Sequence, residues 1–350
     1  MALVQHHPAL IHPVEPICSI CIANYNGAAL LTDCLESIYA QAEADNIEII
    51  IHDDASSDES VALIRNKHAR VELIESRENV GFCVANNRMA ELARGEFILL
   101  LNNDAALFPD AITTLLKAAH AQPVPGILTL PQYDWVTGQL VDRGCLLDPF
   151  YNPTPNLKPE RTDVAMVIGA CIWLPRRLWT ALGGFPPWLG SIAEDLYLCC
   201  AARLQRSPVQ VTTTSGYRHR QGASFGGNRA DTTHGLQTTY RRRYLSERNK
   251  TAVMLVCTPT PFAWPWLAFH ILALTAEGAV LTAVKRDPSI WRQIYSRALR
   301  RFFRELTPLI AQRKHVQQQR KITLFGYLSG FTMTPRKLDL LRRYGPPQIR

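Results

Sequence analysis

The sequence lacks several features that would place it in a simple class of protein. Its 350 residues contain no low-complexity run and no internal repeat, which argues against fibrous, solenoid and disordered chains. The N-terminal stretch "MALVQHHPALIHPVEP" has neither the basic start nor the continuous apolar core of a signal peptide, so we do not expect secretion. With 47% hydrophobic and 19% charged residues, the composition is that of an ordinary folded protein. The length allows one large α/β domain with an appendage, or two domains.

The nine cysteines are scattered and show no pattern of a disulfide framework. Cys18 and Cys21 form a CxxC, but they lie in the apolar run "ICSICIA", where a strand would point them to opposite faces. We therefore expect buried apolar cysteines rather than a metal or redox pair. This cysteine usage predicts a reducing compartment, the cytoplasm.

Charge is distributed unevenly along the chain. Residues 1–240 contain 17 Lys and Arg against 25 Asp and Glu, a net charge of −8. Residues 241–350 contain 21 against 5, a net charge of +16. A basic tail on an acidic body predicts an anionic partner for the tail, either a membrane or nucleic acid. The aromatic residues of the tail lie mostly in an apolar block rather than among the basic residues, so we expect no nucleic-acid partner.

Short β-rich runs alternate with amphipathic segments between residues 17 and 130. The pattern predicts strands over 17–23, 47–53, 70–76 and 96–101, and helices over 30–40, 56–66, 81–93 and 109–121. Ser56 and Glu59 have the spacing of a capping box at the start of the second helix. This alternation predicts an α/β fold with a doubly wound, mostly parallel sheet flanked by helices. In such sheets ligands bind beyond the carboxyl ends of the strands.

Polar residues follow all four predicted strands at that edge. They are Asn24, Tyr25, Asn26, Asp53, Asp54, Arg77, Glu78, Asn79, Asn102, Asn103 and Asp104. Loops are generally polar, so composition alone leaves an ordinary loop edge and a binding edge equally open. The last group, in "ILLLNNDA", has one carboxylate where a metal centre usually has two.

The chain changes character after residue 250. Residues 262–284 contain a single charged residue, Glu277, and are long enough in principle to span a bilayer. Because Pro265, His270, Glu277 and Gly278 interrupt the stretch, we predict a helical hairpin or an in-plane element with Trp264 and Trp266 at the interface. A hydrophobic helix packed on the domain is the alternative. The basic segments that follow would supply cationic surface for anionic headgroups.

Several stretches, in their order and spacing, resemble family 2 glycosyltransferases, in particular the bacterial rhamnosyltransferase-like members. They are "SICIANYNGAALLTDCLESI", "IEIIIHDDASSDES", "NVGFCVANNRMAELARGEFILLLNNDA" and "IGACIWLPRRLWTALGGF…EDLYLCCAARLQ…YRHRQGAS". The resemblance covers about residues 17–250 and implies the GT-A fold. It implies an N-terminal extension (1–16), a nucleotide-sugar-binding half (17–130), an acceptor-binding and catalytic half (131–250), and a helical C-terminal region (251–350).

The resemblance also implies an activity. The expected enzyme is an inverting glycosyltransferase that moves rhamnose from dTDP-rhamnose, or a sugar from a UDP-sugar, to a hydroxyl of a glycan or lipid-linked acceptor. Mg²⁺ or Mn²⁺ is the implied cofactor, and cell-surface polysaccharide synthesis is the implied pathway. Such an enzyme would be cytoplasmic and peripherally associated with the inner face of the membrane through residues 251–350.

The resemblance assigns the chemistry to named residues. Asp195 matches the catalytic base, which removes the acceptor's proton. Glu194 and Trp188 are the implied acceptor-binding residues, although acids also favour helix N-termini and Trp188 could simply anchor its loop. Asp104 and His219 are the implied metal ligands.

The resemblance further implies the nucleotide-sugar-binding residues Asn24, Asp53, Asn79, Asn102, Asn103 and Asp104. Asp53 matches the acid that accepts a hydrogen bond from the N3–H of uracil or thymine. Asn102 stands where the DxD motif has its first acid, and its amide can still hydrogen-bond a ribose hydroxyl. The lost negative charge predicts weaker metal affinity, with the phosphates supplying more of the coordination. Arg77 and Arg248 are candidates for phosphate contacts.

Two other functions remain open from the sequence. A sugar nucleotidyltransferase would share the sheet, but such enzymes usually have a glycine-rich phosphate loop with a basic residue after the first strand. This chain has "ANYNGAAL" there, without a basic residue. A non-catalytic, membrane-docked carbohydrate-binding or scaffold subunit would account for the missing DxD acid, but the Glu194–Asp195 pair argues against it.

Overall fold

A computed structural model describes residues 4–222, 229–231 and 235–350 of the chain. The chain divides into two compact units. The first unit comprises Met1–Cys145, Pro155–Leu198 and Ser207–Arg220, and the second comprises Leu146–Thr154, Cys199–Arg206 and Gln221–Arg350. The domain boundaries predicted after residues 16, 130 and 250 remain predictions.

The described residues form strands and helices that we number in chain order. The strands are β1 Val4–His7, β2 Cys18–Asn24, β3 Ile47–Asp53, β4 Val71–Ser76, β5 Phe97–Leu101, β6 Ala105–Leu107, β7 Ile127–Thr129, β8 Gln132–Asp134, β9 Leu140–Asp142, β10 Cys145–Leu147, β11 Pro153–Pro155, β12 Cys171–Pro175, β13 Val209–Val211, β14 Tyr217–His219, β15 Arg229–Asp231, β16 Gly235–Thr238 and β17 Gln348–Ile349. The helices are α1 Ala28–Tyr39, α2 Ser60–Lys67, α3 Phe82–Leu92, α4 Ala111–Ala121, α5 Arg176–Leu182, α6 Glu194–Leu204, α7 Tyr240–Cys257, α8 Ala263–Lys285, α9 Pro288–Ile290, α10 Ser296–Arg304, α11 Leu306–Gln318, α12 Leu324–Leu328 and α13 Arg336–Tyr344.

An eight-stranded mixed sheet forms the centre of the first unit, in the order β1–β4–β3–β2–β5–β12–β7–β13. The pairings β2–β3, β2–β5, β3–β4 and β7–β13 are parallel, and the other three are antiparallel. The four strands and four helices predicted between residues 17 and 121 are all present. The carboxyl ends of β2, β3 and β5 therefore lie side by side at one edge of this sheet.

The core of the first unit explains why these segments fold as they do. Alternate residues of β2, such as Ile20 and Ile22, share one buried cluster with the apolar stripe of α1. That stripe is Leu31, Leu35 and Ile38, at the spacing of one helical face. Each fully buried side chain of this size contributes about 1.5–3 kcal/mol. The core thus holds the strand ends in fixed positions.

A second, smaller sheet in the first unit has the order β6–β14–β8–β9. β14 runs antiparallel to β6, with His219 opposite Ala105, and parallel to β8. This pairing places the end of β14 beside the residue that precedes β6, Asp104.

Two local predictions have different outcomes. All nine cysteines are free and buried, as predicted, and burial raises the pKa of Cys18 and Cys21 well above the ordinary range. The predicted capping box is wrong, because α2 begins at Ser60 and has no side-chain cap bond. The Ser56 hydroxyl instead donates to Asp53 Oδ2 at 2.7 Å.

The second unit is largely helical, and α7 packs against α8, α10 and α11. α8 is one continuous helix of 23 residues, so the predicted helical hairpin is wrong. Pro265 lies in the first turn of α8, where its missing N–H costs no intrahelical hydrogen bond. Within the described ranges, only α8 is long and apolar enough to cross a membrane, judged by length and composition. β15, β16 and β17 form a small sheet in the same unit.

A buried cluster of charged residues joins α7, α8 and α13. The Glu247 carboxylate is 1% exposed and lies 2.7 Å from Lys337 Nζ and 3.0 Å from Lys250 Nζ. Arg243 pairs with both Glu247 and Glu277, and Lys337 Nζ lies 2.6 Å from the Glu277 carboxylate. Burial alone would raise the pKa of Glu247, but the neighbouring cations hold it well below its usual range. Folding therefore depends on Glu247 being ionised.

Glu247→Gln should lower the free energy of unfolding at neutral pH by about 3–5 kcal/mol, because it leaves buried cations without compensation. The measurement is urea unfolding of the two proteins. Arg343→Gln is the matched control: it breaks an ion pair to Asp339 in which Arg343 is 64% exposed, and should change stability by less than about 1 kcal/mol.

The pH dependence gives a second check on the same carboxylate. Because folding lowers the pKa of Glu247, its contribution is complete above 4.5, the ordinary glutamate value, and is lost as the pH falls below it. The difference in stability between wild type and Glu247→Gln should therefore shrink in acid. A constant difference down to strongly acidic pH would contradict the assignment.

Candidate active site

Three buried polar side chains are hydrogen-bonded across adjacent strands at the carboxyl edge of the central sheet. Asn24, at the end of β2, lies opposite Asp53, at the end of β3, and its Nδ2 donates to Asp53 Oδ2 at 2.8 Å. Asn103, just beyond β5, donates through Nδ2 to Asn24 Oδ1 at 2.8 Å. All three are less than 10% exposed. This chain of bonds fixes the edge where sequence analysis predicted nucleotide binding.

The loop after β3 donates two further hydrogen bonds to the Asp53 carboxylate. Ser56 donates its backbone N–H to Asp53 Oδ1 at 2.9 Å and its hydroxyl to Oδ2 at 2.7 Å. Each carboxylate oxygen has two lone pairs, so Oδ1 can still accept one further hydrogen bond. Sequence analysis missed Ser56 as a partner of Asp53 because its spacing to Glu59 suggested a helix cap.

Gly27 lies directly against this hydrogen-bonded chain. A Cβ on Gly27 would lie 2.2 Å from Asn103 Nδ2 and 2.3 Å from Asn24 Oδ1. Real Cβ atoms essentially never come that close to another heavy atom. The backbone after β2 can therefore pass the side chains of Asn24 and Asn103 only because residue 27 is glycine.

Asp54 ties the end of β3 to the start of α3. Its carboxylate accepts the backbone N–H groups of Val80 and Gly81 at 2.7 and 2.9 Å. Burial raises the pKa of Asp54, and these two hydrogen bonds oppose the rise. Asn79 is exposed in the same loop and donates from Nδ2 to the Asp54 carbonyl at 3.3 Å. The predicted residue Asn79 thus lies at the same edge as Asp53, and Asp54 positions it.

Asp104 and His219 meet although 114 residues separate them in the chain. His219 Nε2 lies 3.0 Å from Asp104 Oδ1, and the side chains are 11% and 1% exposed. The backbone supports the contact, because the adjacent Arg220 N–H donates to the Asp104 carbonyl at 3.0 Å. The structure therefore brings together the two residues that sequence analysis assigned to a metal.

The donor set fits a divalent cation. Two adjacent ligands of an octahedral cation, each at about 2.1 Å, are separated by about 3 Å, which is the separation between these two atoms. In the part of the chain that the structure describes, no third His, Cys, Asp or Glu joins such a group. A cation at this pair would need further ligands from phosphate oxygens or water. The half-buried Asn102 lies beside the pair, and its backbone N–H donates to the Ala170 carbonyl at 3.0 Å.

Glu194 and Asp195 are the first two residues of α6. Asp195 Oδ2 accepts the Gly169 N–H at 2.9 Å, and Oδ1 accepts the Leu196 N–H at 2.7 Å. Glu194 is 8% exposed, whereas Asp195 is half-buried. Asp195 is thus the acid of the pair that combines a fixed orientation with access to solvent.

The backbone just before this pair is strained. Ile192 and Ala193 have φ angles of +72° and +69°, a region that costs non-glycine residues about 1–3 kcal/mol each. A β-branched residue such as Ile192 is especially rare there. The surrounding structure therefore enforces this conformation, which sets the position of Glu194 and Asp195.

The loop containing Trp188 packs over the start of α3. The Gly190 carbonyl accepts the Cys83 N–H at 3.0 Å, and Trp188 is half-buried in the short helix Pro187–Leu189. Burial raises the pKa of the Cys83 thiol, and the charges of Glu194 and Asp195 raise it further. The Trp188 loop, the start of α3 and the Glu194–Asp195 pair therefore share one neighbourhood.

Arg77 and Arg248, proposed from the sequence for phosphate contacts, remain predictions, and the fold adds a third arginine beside His219. Arg77 is exposed, and Arg248 lies in the second unit, where its Nη2 is 2.6 Å from Glu305 Oε2. Arg220, which sequence analysis did not select, follows His219, pairs with Asp33 and stacks 3.9 Å above the Trp135 ring. No sequence spacing connects Arg220 to Asp33, so only the fold could reveal it.

The sequence of the chain is similar to that of known proteins. Residues 19–180 match the family model described as Glycosyl transferase family 2. This part of the chain is therefore similar in sequence to family 2 glycosyltransferases. Chondroitin synthase of Escherichia coli is 30% identical over 188 residues, which are 52% of this chain and 26% of that protein. The chain spans about a third or less of the length of the first curated relatives that it matches.

Solved structures agree on the fold. Mannosyltransferase PcManGT from Pyrobaculum calidifontis, in complex with GDP-Man and Mn²⁺, has a TM-score of 0.50 at 17% identity, covering 87% of each chain. GalNAc-T7, with UDP, GalNAc and Mn²⁺, has a TM-score of 0.62 at 13% identity, covering 96% of this chain and 59% of that one. The chain therefore has a GT-A-like fold, which confirms the predicted fold class.

Gly27→Ala should weaken binding of UDP or dTDP by about tenfold or more and destabilise the protein by about 1–3 kcal/mol, because the methyl group displaces Asn24 and Asn103. Isothermal titration calorimetry and urea unfolding measure the two effects. Gly138→Ala is the control: residue 138 has φ +67° with open space around it, so it adds strain without touching the site. Unchanged nucleotide affinity in Gly27→Ala would contradict a nucleotide site at this edge.

Proposed function

We propose that the chain is a metal-assisted, inverting glycosyltransferase that moves a sugar from a nucleoside diphosphate to an acceptor hydroxyl. The observation that carries the proposal is the Asp104–His219 contact of 3.0 Å at the polar edge of the sheet. It joins the acid of the DxD position to the one histidine of "YRHRQGAS", in a GT-A-like domain that also contains Asp195. A binding module would not need an oriented carboxylate such as Asp195.

Asp195 is the proposed catalytic base. In a single displacement the acceptor oxygen attacks the anomeric carbon on the face opposite the leaving nucleoside diphosphate, and its proton passes to the Asp195 carboxylate. The Gly169 and Leu196 N–H groups hold that carboxylate in place. Pre-oriented proton transfer of this kind contributes about 10²–10⁴-fold to a rate.

Asp104 and His219 are the residues that would hold Mg²⁺ or Mn²⁺. When bound, the cation would neutralise the negative charge that develops on the departing diphosphate. The Mn²⁺ bound in the PcManGT and GalNAc-T7 structures supports a divalent cation. Asn102 would hydrogen-bond the ribose rather than bind the metal, because an amide carries no charge.

The nucleotide would bind along the hydrogen-bonded edge. Asp53 Oδ1 has the lone pair needed to accept the N3–H of uracil or thymine, and Asn24 and Asn103 hold Asp53 in position. Asn79 would contact the nucleotide from the loop after β4. We therefore propose a UDP- or dTDP-linked donor, with dTDP-rhamnose as the specific candidate.

The acceptor would bind near Glu194 and Trp188. Glu194 would hydrogen-bond acceptor hydroxyls, and the half-buried Trp188 would offer a ring face for a sugar to stack on. The similarity to chondroitin synthase supports a glycan or lipid-linked acceptor in cell-surface polysaccharide synthesis. The enzyme would work in the cytoplasm, at the inner face of the membrane, which it would reach through residues 251–350.

Asp195→Asn should lower kcat by about 10²–10⁴-fold while donor affinity stays within about twofold, because the amide cannot accept the proton but keeps the shape. Turnover with a panel of UDP- and dTDP-sugars and calorimetric donor binding separate the two effects. Asp45→Asn, at a position whose side chain is fully exposed, is the control and should behave as wild type. Near-normal turnover in Asp195→Asn would rule out the base.

Metal removal tests Asp104 and His219. A chelator should abolish transfer, and Mn²⁺ or Mg²⁺ should restore it. Because Asp104 and His219 are the two ligands found among the described residues, Mn²⁺ should bind about tenfold or more tightly when UDP is present, as electron paramagnetic resonance can measure. Asp104→Asn should remove this enhancement. Full activity of the metal-stripped enzyme would contradict the assignment.

A further inference from the structure

α8 buries both apolar residues and the polar His270, and it exposes a face that is entirely apolar. Between Trp264 and Val284 every exposed residue is apolar. We call this set the outer face of α8: Trp264, Pro265, Ala268, Phe269, Leu272, Ala276, Ala279, Val280, Ala283 and Val284. Phe269 is 60% exposed and Leu272 is 70% exposed. A helix on the surface of a soluble domain has the opposite distribution, so this face needs a partner other than water.

The inner side of α8 is bound to the rest of the second unit by polar contacts. His270 is buried, and its Nε2 lies 2.8 Å from Thr251 Oγ1 on α7. Glu277 pairs with Arg243 and Lys337. These contacts fix the rotation of α8, so that its apolar side cannot turn inward.

The same contacts argue against a transmembrane orientation for α8. A spanning helix would carry its bound neighbours α7 and α13, with Arg243 and Lys337, into the hydrocarbon region. Charged groups are expensive there, at about 2.5–3.5 kcal/mol each even on the lowest scales. A helix lying in the plane of the interface avoids this cost, because only its outer face enters the lipid.

The positive charge of this part of the chain favours an anionic surface as the partner of the outer face. Residues 241–350 have a net charge of +16, and α8 ends at the exposed residue Lys285, followed by the exposed Arg286. A second copy of the chain would bring the same positive charge and would be repelled. Anionic lipid headgroups attract it, at about 1 kcal/mol for each basic residue near the surface.

We infer that the outer face of α8 inserts in plane into the headgroup boundary of an anionic lipid bilayer. The apolar side chains enter the bilayer. Lys285 and Arg286, at the C-terminal end of α8, pair with lipid phosphates. This inference rests on the second unit alone and does not depend on the proposed transferase activity.

Vesicle flotation of the full chain tests the inference. The protein should float with vesicles of phosphatidylglycerol and phosphatidylcholine in equal parts, bind phosphatidylcholine vesicles at least about tenfold more weakly, and be released by high salt. Failure of the wild-type protein to bind the anionic vesicles would overturn the inference.

Substitutions on the outer face localise the contact. Phe269→Ser with Leu272→Ser should weaken vesicle binding by about tenfold or more, because two large apolar side chains no longer leave water. Val136→Ser is the matched control, since Val136 is 89% exposed but lies in the first unit, and should bind as wild type. Circular dichroism confirms that each variant is folded, and equal binding of the double variant would overturn the inference.

Two further measurements distinguish other occupants of the face. Alkaline carbonate should release the wild-type protein from membranes, whereas retention would indicate a spanning helix and contradict in-plane insertion. The wild type should be monomeric by light scattering in detergent-free buffer. A dimer that Phe269→Ser with Leu272→Ser converts to a monomer would instead assign the face to a second copy of the chain.

Discussion

The antiparallel pairing of β6 with β14 is the constraint on which the candidate site depends. With His219 opposite Ala105, the end of one strand stands beside the residue that precedes the other, Asp104. The strand that ends at Leu101 supplies one carboxylate, which would be a poor cation site by itself. A shift of one residue in the β6–β14 register would turn the imidazole to the opposite face of the sheet. The chemistry of this edge thus depends on backbone pairing at least as much as on side-chain identity.

The proposed nucleotide edge and the Asp195 carboxylate are held in position in different ways. Asn24, Asp53 and Asn103 are buried and mutually hydrogen-bonded, so the proposed nucleotide edge is rigid before any ligand binds. Asp195 is half-buried, and the backbone N–H groups of Gly169 and Leu196 orient its carboxylate. A rigid edge reduces the entropy lost on binding a donor, while an accessible carboxylate can meet acceptors of different shape.

Local patterns predicted most elements of the first unit because the signals there are local. Hydrophobic periodicity depends only on residues within a few positions of one another, and the predicted strands and helices follow it. The failures involve hydrogen-bond partners that these patterns do not specify. Ser56 has the spacing of a cap but bonds Asp53, and Arg220 pairs with Asp33 on α1. The hairpin prediction failed because polar residues within an apolar stretch suggested an interruption, whereas His270 finds its partner on α7.

The basic C-terminal part pairs its own acidic residues and keeps a large excess of positive charge. Each of the five acids in residues 241–350 has a partner within the second unit: Glu247 and Glu277 in the buried cluster, Glu305 with Arg248 and Arg301, Asp339 with Arg336 and Arg343, and Asp287 with Tyr240. Four of these acids therefore compensate neighbouring cations, and the excess positive charge is left for an external partner. Glu277 belongs to the compensated group, so the contacts that anchor α8 also keep its apolar outer face turned outward. One arrangement of charges thus neutralises the acids inside the second unit and favours attraction of this unit to an anionic surface.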